Sequence, residues 1–411
     1  MQPPHVLVDP QERITPPVAS WRDSAIAGGL QNVLGEARGR LEVVLPSSHR
    51  VMLGSGDEAP ARLVLHSYIV LWRLATRGSL GPAESYLRGE IDTPNLGAVL
   101  RFFLRNYAAI DGAGSSLFKF KPRMPDIIWH RRRENSLKGS RRNIAAHYDL
   151  GNDFYRLWLD PGMTYSSALY RDAAMSLEAA QNEKYNVVLD ALGDIDGKTL
   201  LEIGCGWGGL AERAIARGAS VVGVTLSTEQ LNYARERLVK SADRADLSLQ
   251  DYRATEGSFD AIASVEMIEA VGESHWPTYF KTLHDRLKPG GAAAIQAITI
   301  DERYFDSYRR QTDFIQRYIF PGGMLPTITR MCEEAEAAGL TFETVERFGQ
   351  SYARTLVEWR SRFRAAWPEI QKQGFDERFR RMWEYYMTYC EVGFESGDVD
   401  VGIYKVTRRA R

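Results

Sequence analysis

The stretch Leu200-Leu-Glu-Ile-Gly-Cys-Gly-Trp-Gly-Gly209 decides how this chain is read. Residues 198–203 before it have the apolar run of a buried strand, and residues 210–217 after it have the spacing of a helix. Glycines at 204, 206 and 208 permit a tight turn and let backbone amides approach a ligand at a helix N-terminus, where the dipole favours a carboxylate or phosphate. Dinucleotide folds use a similar loop, but theirs reads GxGxxG, with an acid about 20 residues on for the ribose hydroxyls. Here the loop reads GxGxGG, Glu202 stands before its first glycine, and the next strand ends Val224-Thr225-Leu226. An acid in that place marks a loop for S-adenosylmethionine, because Glu202 can reach the positively charged amino group of the methionine moiety. With no acid after the second strand, the ribose falls to Thr225, the Leu226 amide or Gln230.

Outward from the loop the rhythm persists. Strands are expected at 220–225, 247–251, 259–266 and 291–298 and helices at 229–241 and 277–287, so a parallel sheet covered on both faces follows. Residues 301–329 form a long connector with a helix-like stretch at 304–318; Phe305, Phe314, Ile315, Tyr318, Ile319 and Phe320 line either an acyl tunnel or the core. The aromatic cluster between Trp359 and Phe394 is expected to be mostly core.

Upstream, residues 1–110 read as a small α+β domain, with a hairpin turning at Pro46-Ser47-Ser48 and helices near 62–76 and 97–109. Leu96, Val99, Leu100, Phe103 and Leu104 form a stripe on the second helix that reads as core, with a lipid-facing patch as the other reading. Residues 111–141 are a basic linker in which Lys119, Lys121, Arg123 and Arg131-Arg-Arg133 interleave with Phe118, Phe120 and Trp129. It serves either as a solvated connector or as a dock on anionic phospholipid. The third segment is 142–411.

Composition narrows the classes. The 411 residues are 44% hydrophobic and 26% charged, which describes a globular chain of two domains. Lys plus Arg total 52 against 53 Asp plus Glu, so no overall basic excess points to nucleic acid. Cys205, Cys332 and Cys390 form no CxxC pair, which removes the zinc ribbon and the disulfide framework and suggests a reduced, cytoplasmic setting. Asp9 and Glu12 stand where a signal peptide would be basic and then apolar, and no apolar run approaches the roughly 20 residues of a membrane span. The histidines show no ligand spacing, and no metal is expected.

Ordered motifs from about Arg142 to Arg411 make the reading specific: His147-Tyr-Asp-Leu-Gly-Asn-Asp-Phe154, Met163-Thr-Tyr-Ser166, the glycine loop, Gly223-Val-Thr-Leu-Ser227, Gln250-Asp-Tyr-Arg253, Glu266-Met-Ile-Glu269, Ile319-Phe-Pro-Gly-Gly323 and Tyr352-Ala-Arg-Thr-Leu356. This segment resembles the cyclopropane-fatty-acyl-phospholipid synthase and mycolic-acid cyclopropane synthase family. The resemblance implies an α/β, Rossmann-like class I methyltransferase fold with a mostly parallel seven-stranded sheet. It also implies bound S-adenosylmethionine, with Tyr165 and Ser166 at its amino-acid end, Gly204, Gly206 and Gly208 in its cradle, Thr225, Leu226 and Gln230 at its ribose, and Asp251 and Tyr252 at its adenine edge.

The activity it implies is methylenation of a cis double bond in an unsaturated phospholipid acyl chain, at the inner membrane surface, with a homodimer among the assemblies left open. Attack of the alkene on a sulfonium methyl leaves a carbocation, and ring closure then needs a base. In the family that base is a bicarbonate ion held by Cys, Glu, His, Tyr and a backbone amide. By position these become Ser167, Glu269, Gln296, Tyr352 and Ile298, so Ser replaces Cys and Gln replaces His, and Ala270 replaces a further His. Ser and Gln keep hydrogen-bonding capacity but lose titratable groups. Two other outcomes therefore stand beside ring closure: a methyl-branched or methylene product, and a lipid-binding homologue without chemistry.

Overall fold

The computed structural model describes residues 20–78, 80–107 and 150–410, and the chain divides into two compact units, Met1–Phe120 and Lys121–Arg411. The basic linker at 111–141 and His147 lie outside the described residues.

In the first unit, α1 (Trp21–Leu34) is capped by Ser20, whose hydroxyl accepts from Asp23 N at 3.1 Å. The hairpin forms as expected: β1 (Gly39–Val44) pairs with β2 (Arg50–Ser55) across a turn with Ser48 at φ 68°. The expected helix at 62–76 is instead β3 (Ala61–Leu65) followed by α2 (Ile69–Arg77). Its first half pairs in parallel with β1 and sends Leu65 into a core with Leu41, Val43 and Leu53. Then come α3 (Leu80–Leu87), β4 (Ile91–Asp92) and α4 (Leu96–Arg105), giving a sheet of order β2-β1-β3-β4. Asn95 caps α4 by accepting from Ala98 N at 3.0 Å. With that start the face turned fully inward carries Val99 and Phe102, while Leu96, Leu100 and Leu104 are only partly covered.

In the second unit, α5 (Asn152–Arg156) and α6 (Leu177–Ala191) precede β5 (Thr199–Ile203), α7 (Gly209–Ala216), β6 (Ser220–Thr225), α8 (Thr228–Arg237), β7 (Ala245–Leu249), β8 (Phe259–Val265), α9 (Trp276–Arg286) and β9 (Leu287–Ile300). Next are α10 (Glu302–Tyr308), α11 (Ile328–Ala337), β10 (Leu340–Arg347), α12 (Gly349–Lys372), α13 (Glu377–Ser396) and β11 (Val399–Arg408). The seven strands run in the order β10-β11-β9-β8-β5-β6-β7, with β11 antiparallel to both neighbours and the rest parallel. After β5 the chain winds first toward β6 and β7 and then returns to the other side of β5 with β8. The carboxyl ends of β5, β6 and β8 therefore meet at a reversal of winding, where open α/β sheets bind ligands.

The connector after β9 departs from the single helix expected at 304–318. It breaks into α10 and a π-helical turn at Ile315–Ile319, because the Asp313 carboxylate accepts from Gln316 N at 2.8 Å and starts a new turn. The aromatic cluster is core as expected: Trp359, Phe363, Trp383, Tyr386 and Phe394 are all buried, and Phe154 meets Trp383 at 5.5 Å between ring centroids. On the sheet's other flank, Leu283 of α9 is wholly buried with Ile262 and Ile295. Leu283→Ala removes that packing and leaves a cavity, so urea unfolding is expected to show a loss of about 2–5 kcal/mol; a loss below about 1 kcal/mol contradicts this account of the core.

Candidate active site

The glycine loop leaves β5 with Gly204, Gly206 and Gly208 at φ 78°, 51° and 81°, a region that favours glycine. A Cβ on Gly204 would stand 2.4 Å from Met267 Sδ, and one on Gly208 would stand 3.1 Å from Ala234 Cβ. On Gly206 it would meet nothing within 4 Å. Two glycines thus close the loop onto protein, and the third presents bare backbone to open space. At the end of β5, Glu202 is 4% exposed, and its Oε2 has no hydrogen-bond partner among the described residues. Burial pushes its carboxyl up to about 8, against the pull of Lys184 and Arg237. An ammonium group delivered beside that oxygen would supply the missing partner and restore the ionised form.

At the end of β6, Thr225 donates to Gln230 Oε1 at 3.1 Å and accepts from Ser227 N at 3.2 Å, which holds two of the three expected ribose contacts in one buried knot. Leu226 is partly exposed between them. The Asp251 carboxylate is held by Arg253, at 2.8 Å from Nε and 2.7 Å from Nη2. Tyr252 packs edge-on against Tyr279 at 5.7 Å, and its hydroxyl has no partner among the described residues. Tyr165 leans on Trp359 and Tyr155, each at 5.3 Å, and its hydroxyl lies 3.1 Å from that of Tyr386. Ser166 is gripped twice by α6: Gln181 Nε2 donates to its carbonyl at 2.8 Å, and Lys184 Nζ donates to its hydroxyl at 2.6 Å.

The residues expected around an anion do converge, but on carboxylates of the chain itself. Ser167 N and Gln296 Nε2 each donate to Glu266 Oε1 at 2.8 Å, and the Tyr352 hydroxyl donates to Glu266 Oε2 at 2.8 Å. Ser167 takes part through its amide, while the hydroxyl expected to do so donates to Ala168 O at 2.9 Å. Ile298 N donates to Glu269 Oε1, and Glu269 Oε2 has no partner among the described residues. Burial, then the neighbouring Glu266, push the Glu269 carboxyl up to about 8, so it carries its proton at neutral pH. Glu266 is also raised by burial, and the Ser167 amide, Lys184, Tyr352 and Gln296 all act the other way. Glu266 sits just past β8 at φ 50°, uncommon for a residue with a side chain and of the kind that collects at functional sites.

Two of these residues were missed. Glu266 was read only as part of the Glu266-Met-Ile-Glu269 motif, although an acid at the carboxyl end of a central parallel strand is a candidate on position alone. Lys184 is wholly buried with Leu177, Ala180, Gln181 and Val188 on the inner face of α6. A lysine interrupting an apolar helical face was its signal.

The donor set fits S-adenosylmethionine: an orphaned buried carboxylate for the amino group, bare backbone at Gly206, and a free buried hydroxyl on Tyr252. Among the described residues no cluster of metal-ligating side chains occurs, and no helix is long and apolar enough to cross a membrane. Glu202→Gln keeps the shape but removes the charge. Calorimetry is expected to show S-adenosylmethionine binding weakened at least about ten-fold, in line with loss of a charge-assisted hydrogen bond; unchanged affinity removes Glu202 from the site.

Residues 135–403 match the family described as mycolic acid cyclopropane synthetase. The chain is 38% identical over 391 residues to the tuberculostearic acid methyltransferase of Mycobacterium tuberculosis, covering 92% of this chain and 90% of that one. It is 36% identical to the cyclopropane-fatty-acyl-phospholipid synthase of Escherichia coli, covering 86% and 89%. The likeness therefore reaches well into the N-terminal unit, beyond the two-thirds of the chain that the motifs span. Among solved structures, mycolic acid cyclopropane synthase CmaA1 complexed with SAH and CTAB superposes with a TM-score of 0.61 at 32% identity, covering 65% of this chain and 98% of that one. The chain belongs to the mycolic acid cyclopropane synthetase family and is an S-adenosylmethionine-dependent methyltransferase.

Proposed function

We propose that this chain transfers the methyl carbon of S-adenosylmethionine to a cis double bond of an unsaturated phospholipid acyl chain at the membrane surface, and that Glu266 removes the proton whose loss closes a cyclopropane ring. The observation that carries this reading is the Glu266 carboxylate itself, gathered by Ser167, Gln296 and Tyr352. Oε1 takes two donors and Oε2 only one, so Oε2 keeps a lone pair for a proton. S-adenosylmethionine supplies the electrophilic methyl, and Glu202 and the glycine loop hold and orient it.

The alkene's π electrons would form the new carbon–carbon bond to the methyl carbon as its bond to sulfur breaks, the electron pair staying on sulfur so that S-adenosylhomocysteine leaves, and a carbocation would remain on the neighbouring carbon. Glu266 Oε2 then takes one hydrogen of the delivered methyl as a proton, and that C–H electron pair closes the three-membered ring. Tyr352, which donates to this carboxylate, packs on Trp359, and Tyr165 and Trp158 continue the same buried cluster; aromatic faces favour a cation, and the cluster helps to exclude water. A carboxylate built into the chain serves as base without a separate bicarbonate, which accounts for the loss of the family's Cys and His at Ser167 and Gln296.

A second reading keeps the same proton removal but places a hydride shift before it, so that a methylene branch forms in place of the ring. Two observations favour it: Ser167 and Gln296 depart from the family's usual residues, and the relative at 38% identity is named a tuberculostearic acid methyltransferase.

Proton NMR of acyl esters from liposomes treated with enzyme and S-adenosylmethionine tests both readings. High-field ring signals support cyclopropane formation, olefinic methylene signals move the chain to the second reading, and no product rejects the proposal. Glu266→Gln is expected to lower product formation about 10²–10⁴-fold, the usual worth of a positioned base, with S-adenosylmethionine binding retained. The pH profile has a fixed sign. Activity needs ionised Glu266, whose carboxyl burial raises above its ordinary 4.5, so kcat/KM rises with pH through a limb lying above 4.5; a limb at or below that value contradicts the assignment.

A further inference from the structure

We infer that Lys184 is a positioning residue, the buried counter-charge that keeps Glu266 ionised while clamping the strand of chain that presents the Ser167 amide to it. The inference rests on the assignment of Glu266 as base and adds the group that sets its charge.

The geometry has two parts. On α6, Gln181 and Lys184 lie one turn apart and seize the two sides of Ser166, its carbonyl at 2.8 Å and its hydroxyl at 2.6 Å. The next amide in the chain, Ser167 N, is the one that donates to Glu266 Oε1. Both α6 residues are almost wholly enclosed, Gln181 at 2% exposure and Lys184 at 0%.

The second part is charge. Lys184 faces Glu266 beyond β8, Glu202 on β5 and Asp160 after α5, and its ammonium lies 4.1 Å over the ring of Tyr185. Glu266 is faced by Lys184, Glu269, Tyr352, Gln296 and the Ser167 amide, and Lys184 is the cation among them. Glu269 holds its proton and adds no positive charge. A lysine this deep would ordinarily be expelled or neutralised. Burial lowers its ammonium to about 8, and Glu266 first, then Asp160 and Glu202, oppose that fall and favour the charged form. Burial is the largest influence on Glu266 and raises it; the Ser167 amide opposes that rise and Lys184 comes next, and an opposite charge nearby favours the anion by about one to three pH units.

Lys184→Met and Lys184→Gln separate the two roles, since Met has neither charge nor donor while Gln keeps a donor one bond shorter. The measurement is the pH dependence of kcat/KM on unsaturated phospholipid liposomes with S-adenosylmethionine. Thermal melting and cofactor binding confirm that each variant is folded, and the Gln variant carries the test if Met is not. Removing the cation raises the Glu266 carboxyl, so both variants are expected to move the acid limb to higher pH by about one unit or more, with the Met variant also slower at its plateau. A limb that stays in place in both, or a Gln variant with the wild-type profile, overturns the counter-charge. Glu266→Gln distinguishes the layers. If its residual activity keeps the wild-type limb, the base assignment falls and the counter-charge with it; if the limb vanishes there yet does not move in the Lys184 variants, only the counter-charge falls.

Discussion

Three hydrogen bonds to one buried carboxylate are the constraint on which the proposed chemistry depends. Glu266 stands at the carboxyl end of β8, and its oxygens are met by an amide from the loop before α6, an amide side chain from β9 and a hydroxyl from α12. An acid in so apolar a place would be neutralised unless donors and a cation held its charge. The donors are present, and they come from segments that only the complete sheet brings together; Lys184 is the cation we infer. The order β9-β8-β5 sets Gln296 beside Glu266 and both near Glu202, while α12 crosses the same end to deliver Tyr352.

The same end of the sheet separates acids by environment. Glu202 and Glu269 are each raised to about 8, and each keeps one oxygen without a partner among the described residues. Glu266 has every oxygen engaged. In the reading proposed above such carboxyls divide roles: Glu266 receives a proton, Glu269 stays neutral and Glu202 meets an incoming cation. An aromatic cluster reaches Glu266 through Tyr352, which packs on Trp359, and in the proposed reaction it would suit a carbocation and admit little water.

The glycine loop, the strands around it and the C-terminal aromatic core were legible because their signals are local: three glycines in five residues, apolar runs of strand length, and large rings at helical spacing. The strand β3 was not, because Arg62-Leu-Val-Leu65 suits helix and strand equally until β1 offers it a parallel edge. The centre of the site was legible only in part. Ser167, Gln296 and Tyr352 were named, yet the group they serve was not, since their bonds to Glu266 span 99, 30 and 86 residues. Resemblance directed attention to Glu269, the acid matching the family's position, and away from the acid three residues earlier. It also pointed to a serine hydroxyl where the structure uses the serine amide, a distinction that side-chain chemistry alone cannot make.

The central claim is that a carboxylate of the chain takes a proton from the methyl group just delivered. Mass spectrometry of acyl products made with S-adenosylmethionine bearing a fully deuterated methyl tests it directly. Removal from that methyl leaves two of its three deuterons in the product, whether ring or methylene forms, and substitution of Glu266 should abolish that product. Retention of all three deuterons means that the proton leaves from another carbon of the acyl chain, and the role assigned to Glu266 is then wrong.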